Sequence, residues 1–353
     1  MKRPKEKAGK DRSNMSENFR VVVDAFGGDN APAEPVKGAV LALKAEPKLS
    51  VILTGKEELI REQLSGLDYP EDRLSIVDAR EVIVTGEAPV ASIQKKKDSS
   101  LVVGLQLVRK GEADAFVSAG NTGSVLVGGQ VIARKARGVA RAPLATIIPN
   151  AEGCCLLVDS GANVDARPEH LVQFAVMGSA YMKHVMNVDS PRVALANIGV
   201  EPDKGNALTK ETYALLSERE DINFIGNLEV RDIPAGGADV IVCEAFTGNV
   251  ILKMYEGTVK TFLKVIKEGL MTSTRSKIGG LLIKPALKET IKAYDVNQYG
   301  GAPLLGLRGL VVKCHGNATA EIFKNAVLQC AAFIKSDIGG IISRAFASEP
   351  EGE

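Results

Sequence analysis

The chain has 353 residues, 45% of them hydrophobic, which is enough to bury a large core and too long for a small domain held together by disulfides. Charged residues reach 25%, yet the formal net charge is only +1, so there is no overall basic field of the kind that marks a nucleic-acid partner. The five cysteines (Cys154, Cys155, Cys243, Cys314, Cys330) form no C-x-x-C pair and the three histidines (His170, His184, His315) are scattered, which argues for reduced thiols and against a bound metal.

In chain order, residues 1–18 are basic and polar without an apolar stretch, and read as a disordered leader rather than a signal peptide. Residues 19–345 read as a single α/β catalytic domain, followed by an acidic tail over 346–353. No run approaches the roughly 18 apolar residues of a spanning helix. Short apolar runs end in Gly, Asn or Asp clusters and pass into helical periodicity at RVVVDAFGGDNAP, DAFVSAGNTGS, CCLLVDSGANVDARP, RVALANIGVEPDKGN and DVIVCEAFTGNV. With SVILTG, APLATIIP and GLVVKCHGN they predict one mostly parallel, doubly wound sheet covered by helices on both faces. Helices are expected near 32–45, 99–110, 122–137, 168–185, 208–218, 248–268 and 317–336. The segment 261–300 changes character: basic and amphipathic, with Gly279, Gly280 and Pro285, it predicts a protruding helical hairpin for dimer or membrane contact.

In an open parallel sheet, ligands bind beyond the carboxyl ends of the strands, so the five polar loops are expected to share one cleft. Helix N-termini offer unpaired N–H groups and a partial positive charge, which suits SAGNTGS and FTGN to phosphate oxygens. Gly120 and Gly123 would allow close backbone approach, and Asn121, Thr122, Thr247 and Asn249 would add donors. Neither GxxxxGK[ST] nor a GxGxxG after the first strand is present, which argues against a P-loop ATPase and weakens a nicotinamide dehydrogenase. No GxSxG elbow points to a covalent acyl-enzyme. Basic clusters at Lys95–Lys97 and at Arg134, Lys135, Arg137 and Arg141 are solvated faces or contacts for an acidic partner.

Taken together, DAFGGD, KKKDSS, VSAGNTGS, DSGANVDARPEHLVQFAVMGS, NIGVEPDKGN, FTGNVILK and QYGGAPLLGLRG resemble the acyl-ACP:phosphate acyltransferase family of bacterial phospholipid synthesis, in order from about Arg20 to Ile334. The resemblance implies a core like that of the isocitrate and isopropylmalate dehydrogenases and the phosphotransacetylases. It implies a cytosolic homodimer without cofactor that moves a fatty acyl group from acyl carrier protein to inorganic phosphate. The acyl phosphate would then pass to a membrane glycerol-3-phosphate acyltransferase, with an anionic membrane surface as a further expected contact. By motif it carries over Asp24, Gly27, Gly28 and Asp29 in the first loop, and Ser118, Gly120, Asn121, Thr122 and Gly123 in the second. Asp159, Gly161, Ala162, Asn163 and Asp165 fall in the third, and Asn197, Gly199, Glu201, Lys204 and Gly205 in the fourth. The fifth holds Thr247, Gly248 and Asn249, but Glu244 and Ala245 replace the family's Asp-Gly, which puts a positive φ at Ala245 in question. Phe26 and Val200 are milder departures. The expected chemistry is direct attack of phosphate on the thioester, with Asn249 in the anion cradle, Lys204 or Lys97 balancing charge and His315 either protonating the leaving thiolate or serving as a hydrogen-bonded structural histidine. A short-chain acyl-CoA donor, a hydroxyacid dehydrogenase sharing the fold and a membrane-surface scaffold are the competing readings.

Overall fold

The computed structural model describes residues 18–294 and 296–347; the leader before 18 and the tail from 348 lie outside the described residues. The strands divide into two sheets rather than the one expected. The first contains β1 (Phe19–Asp24), β2 (Leu49–Gly55), β3 (Leu74–Asp78), β4 (Ala115–Ser118), β10 (Ala302–Leu304) and β11 (Leu310–Lys313), in the order β10-β11-β4-β1-β2-β3. The second contains β5 (Ala145–Asn150), β6 (Gly153–Val158), β7 (Arg192–Asn197), β8 (Asn223–Glu229) and β9 (Val240–Val242), in the order β5-β6-β9-β7-β8. Pairing is parallel except for β10 with β11 and β5 with β6. Periodicity identifies a strand buried on both faces, but pairing is set by distant residues, and that is where the single-sheet expectation fails.

One hydrophobic cluster spans both sheets. Val21, Val23 and Val117 belong to it together with Leu156, Val158, Val193 and Val240. Phe174 and Tyr181 of α6 (Pro168–His184) and Phe323 and Phe333 of α10 (Ala320–Lys335) complete it, with Tyr181 and Phe333 meeting edge to face at 5.4 Å. Burying each such side chain stabilises the fold by about 1.5–3 kcal/mol. Phe346 also belongs to this cluster, so the core reaches one residue past the expected start of the acidic tail.

Most helices lie within a few residues of expectation: α1 (Ala33–Ala45), α4 (Ser100–Lys110), α6, α7 (Ala207–Ser217) and α10. The helix expected over 122–137 is α5 (Thr122–Gly128) followed by a π-helical segment (Gly129–Arg134), and the run ends where Arg134 takes a φ of 67°. The helix expected from 248 starts earlier, as α8 (Ala245–Leu270), because the Glu244 carboxylate accepts the Thr247 N–H at 2.8 Å and caps it. Short elements that the pattern did not single out are α2 (Glu57–Leu64), α3 (Pro89–Lys95), α11 (Ile338–Ala345) and the strands β3, β8 and β10.

After its first two turns, α8 leaves the core and is followed by α9 (Thr274–Ala293), against which it packs with Gly280 facing Leu270. These helices occupy most of 261–300 and expose Phe262, Val265, Ile278, Leu281, Leu282 and Ile283. Among the described residues, no single helix is long and apolar enough to cross a membrane.

Candidate functional site

A cleft of about 150 Å³ opens between the two sheets, lined by Thr122, Ser160, Asn249, Lys253, Tyr299, Lys313 and His315 over a floor that includes Leu144 and Leu252. Its polar residues come from the start of α5, the loop after β6, the base of α8, the turn ending at Tyr299 and the end of β11 with the loop that follows. A single water needs only about 10–15 Å³, so a small oxyanion fits with room beside it.

The first and second loops interlock below this cleft. Asp24, buried at the end of β1, accepts the Phe26 N–H at 3.1 Å and the Ser118 hydroxyl at 2.7 Å, and the Ser118 oxygen in turn accepts the Gly120 N–H at 3.0 Å. Burial pushes the Asp24 carboxyl above the usual carboxylate range, with the Ser100 and Ser118 hydroxyls and the Phe26 and Gly27 backbone pulling it back. Gly27 is confined to glycine: a Cβ would lie 2.7 Å from both Asp24 Oδ2 and Ser118 Oγ. Gly28 turns with a φ of 105°, and the Asp29 N–H donates to the Gly316 carbonyl at 2.7 Å, tying the first loop to the end of β11. These residues frame the cleft rather than line it.

In the second loop Asn121 is the N-cap of α5, its Oδ1 accepting the Ser124 N–H at 3.0 Å. Its side-chain oxygen is therefore committed to the helix, whereas Thr122 lines the cleft and its hydroxyl has no hydrogen bond among the described residues. Gly123 passes so close to Pro89 that a Cβ would lie 2.4 Å from its ring.

The third loop is organised from within. Asp159 Oδ1 accepts the Leu144, Gly161 and Ala162 N–H groups at 2.9–3.1 Å, and Oδ2 accepts both the backbone and side-chain N–H of Asn163 at 2.8 and 2.7 Å. Asn163 also donates to the Ala142 carbonyl at 3.0 Å. Expected as ligands of phosphate, Asp159 and Asn163 are both occupied in shaping this loop. Burial raises the Asp159 carboxyl, and the Ala162 and Gly161 amides oppose that rise. Against this loop lies Gly248, where a Cβ would fall 1.9 Å from the Asp159 carbonyl oxygen. Asn249, one residue on, donates to the Ser160 carbonyl at 3.3 Å. The neighbouring Ala245 is simply the first helical residue of α8, with no positive φ, so the replacement of glycine there costs nothing in backbone strain. Thr247 is tied to Glu244 through both its backbone and its hydroxyl.

Two expected cations lie elsewhere. Lys204 is exposed in the fourth loop, where Asn197 donates to the Lys204 carbonyl at 3.1 Å, and neither residue lines the cleft. Lys97 donates to the Ile93 carbonyl at 3.2 Å and borders a separate groove with Arg109 and Lys110. The cations lining the cleft are instead Lys253, which is exposed, and Lys313, which is buried and which no sequence motif had singled out. It is only 8% exposed, and its Nζ donates to the Cys314 carbonyl and, at 3.4 Å, to the Ala119 carbonyl. Burial brings its ammonium down to about 8, against a smaller upward pull from Cys314, Asp24 and Asp29. His315 lines the same cleft with its Nε2 3.2 Å from Glu256 Oε1, and this contact holds the Glu256 carboxyl below its ordinary value. Among the described residues, no group of three His, Cys, Asp or Glu side chains could hold a metal.

Two sheets with a polar cleft at their strand ends define an α/β fold shared with transferases and dehydrogenases. The chain superposes on a phosphotransacetylase from Streptococcus pyogenes with a TM-score of 0.60 at 19% identity, covering 91% of this chain and 95% of that one. On 4-hydroxythreonine-4-phosphate dehydrogenase from Klebsiella pneumoniae the TM-score is 0.50 at 12% identity, covering 90% and 99%. Sequence narrows the fold to a family. The fatty acid synthesis protein family matches residues 19–339, and a phosphate acyltransferase of Clostridium botulinum (strain Alaska E43 / Type E3) is 48% identical over 93% of this chain and 99% of its own length. The chain belongs to this phosphate acyltransferase family.

Proposed function

We propose that the protein transfers a fatty acyl group from the thioester of acyl carrier protein to inorganic phosphate, releasing acyl phosphate for membrane phospholipid synthesis. The observation that carries the reading is the cleft itself: Thr122, Asn249 and Lys313 converge from three separate elements on a space suited to a small anion. Family membership supports acyl transfer involving phosphate. Phosphate is substantially ionised near neutral pH, so the protein need only align it with the thioester carbonyl and stabilise the charge that develops on the carbonyl oxygen. We assign the anion cradle to Thr122 and Asn249, framed by Asp24, Ser118 and Gly27. The proposal includes a homodimer and a reversible association of α8 and α9 with an anionic membrane surface, where the product would meet the acyltransferase that consumes it.

The test is consumption of acyl-ACP with and without phosphate, the product being trapped with hydroxylamine as a hydroxamate. A phosphate-dependent hydroxamate is expected. Consumption independent of phosphate, or reaction of acyl-CoA in strong preference to acyl-ACP, would overturn the assignment of donor and acceptor.

A further inference from the structure

Lys313 is the last residue of β11, in register with Ser118 of the adjacent parallel strand β4. It therefore emerges at the strand end where the cleft lies, and its side chain is enclosed. An ammonium has three N–H donors. Two are taken by the Ala119 and Cys314 carbonyls, and no carboxylate among the described residues forms an ion pair with the third. The other titratable groups lining the cleft are Lys253, Tyr299, Cys314 and His315. His315 is engaged by Glu256; Lys253, 3.5 Å from the same carboxylate, projects towards solvent; and the Tyr299 phenol is pushed up to about 12, chiefly by burial.

We propose that Lys313 neutralises the bound phosphate and donates the proton that the departing thiolate takes up. The inference rests on the acyl-transfer reading given above. In the first step an oxygen of HPO4²⁻ forms a bond to the thioester carbonyl carbon as the C=O π pair moves onto the carbonyl oxygen, from which it returns on collapse. As the tetrahedral adduct collapses, the C–S bond breaks, its electron pair leaves with sulfur, and the Lys313 ammonium protonates that sulfur to the free thiol. The neutral amine then takes the remaining P–OH proton, which restores the ammonium and leaves acyl phosphate as the dianion. Thioester and HPO4²⁻ thus become acyl phosphate dianion and thiol, with mass and charge conserved and no further reactant. An alkyl thiol ionises near 8.5, close to the value to which burial brings Lys313, so the transfer is nearly matched in energy. The titratable groups around Lys313 are Asp24 at the end of β1, Asp29 in the loop that follows, Lys253 from α8 and the Cys314 thiol beside it, which burial pushes up to about 12.

The experiment compares wild type, Lys313→Arg and Lys313→Met on two thioesters of the same acyl chain, acyl-ACP and an aryl thioester whose more acidic thiol leaves without protonation. Arginine keeps the positive charge but cannot release a proton. The expected result for Lys313→Arg is a phosphate KM within about threefold of wild type and a kcat on acyl-ACP lower by about 10²-fold, the effect typical of a lost general acid. The aryl thioester should recover most of that loss. Wild-type kcat/KM for phosphate should fall as pH rises through about 8, and this limb should be absent in Lys313→Arg. Lys313→Met should in addition raise the phosphate KM. Because the alkyl-to-aryl ratio is taken within each variant, it does not depend on the fraction folded. Equal losses on both thioesters, or an unchanged alkaline limb in Lys313→Arg, would overturn the proton-donor role while leaving the acyl-transfer reading intact. A wild type without phosphate-dependent activity on either thioester would overturn both.

Discussion

The two ends of α8 are written in the same amphipathic pattern and meet opposite surroundings. At the base, Ala245, Gly248, Ile251 and Leu252 are buried, Glu244 caps the helix, and Asn249 reaches the loop after β6. Farther along, Phe262 and Val265 face solvent, as do Ile278, Leu281 and Leu282 of α9. The apolar stripe shows that a face wants covering, whereas the exact volume at one backbone position decides whether it is covered by this chain. Near the cleft, single atoms should therefore matter; along α9 they should matter to the fold very little.

The strongest way to break that contrast is Gly248→Ala. A single methyl there collides with the Asp159 carbonyl, a backbone atom held by the most heavily bonded carboxylate of the site. We expect a loss on the order of 3 kcal/mol or more in chemical denaturation, together with loss of activity. A variant within about 1 kcal/mol of wild type would show that the base of α8 is not fixed by that contact.

The next effect is smaller and depends on pH. The folded protein holds Lys313 down at about 8 against an ordinary 10.5, so between these values the unfolded chain keeps a proton that the folded one has lost. The unfolded state binds more protons across that window, so stability rises with pH through it, and below about 8 the burial penalty is present in full. Relative to Lys313→Met, wild type should gain on the order of 2–3 kcal/mol on going from pH 8 to pH 10.5, since each tenfold difference in proton affinity between the two states is worth about 1.4 kcal/mol. A gap that does not change with pH would mean the ammonium is solvated.

Asn121→Ala should cost about 1 kcal/mol of stability, the usual worth of an N-cap, as α5 loses the acceptor for the Ser124 amide. Thr122→Ala should leave stability nearly unchanged and weaken phosphate use, since the residue lines the cleft and does not cap the helix. If phosphate kinetics respond to Asn121 alone, the roles of cap and ligand are reversed.

What was legible in the sequence was local. Strands that end in Gly or Asn clusters and pass into helices are written within some ten residues, so β1, β4, β6, β7 and β9 could be read directly. Their division into two sheets could not, because whether β11 pairs with β4 or with a strand of the second sheet depends on residues nearly 200 positions apart. The polar edge strands β3 and β8 lack the continuous apolar run that marked the others. At the site, the DSGAN motif was expected among the phosphate ligands because of the family resemblance; only the fold shows that backbone amides already occupy Asp159. Lys313 was missed for the complementary reason. A lysine ending the apolar run GLVVK at a strand terminus was a usable signal, but its burial depends on distant chain, with β4 beside it and the Ala119 carbonyl against its ammonium.

The smallest expected effect on the fold, and the sharpest test of the far end of α8 and α9, comes from Leu281→Glu with Leu282→Glu. Both side chains are already wet, at 69% and 76% exposure, so the change should alter stability by no more than about 0.5 kcal/mol and leave activity on soluble acyl-ACP intact. Around them lie Lys277, Lys284 and Lys288, while Arg275 and Lys267 flank the turn between the helices. Apolar side chains interleaved with basic ones suit the boundary of an anionic bilayer, where the leucines enter the acyl region and the lysines meet headgroups. Wild type should therefore sediment reversibly with vesicles containing phosphatidylserine, less so as salt is raised, and the double variant should remain in the supernatant. The same stripe would also suit a second copy of the chain, so light scattering on both proteins separates the two occupants. A double variant that keeps its oligomeric state and loses vesicle binding assigns these leucines to the membrane. One that becomes monomeric assigns them to the dimer, and one that binds vesicles as wild type does removes the stripe from the membrane contact altogether.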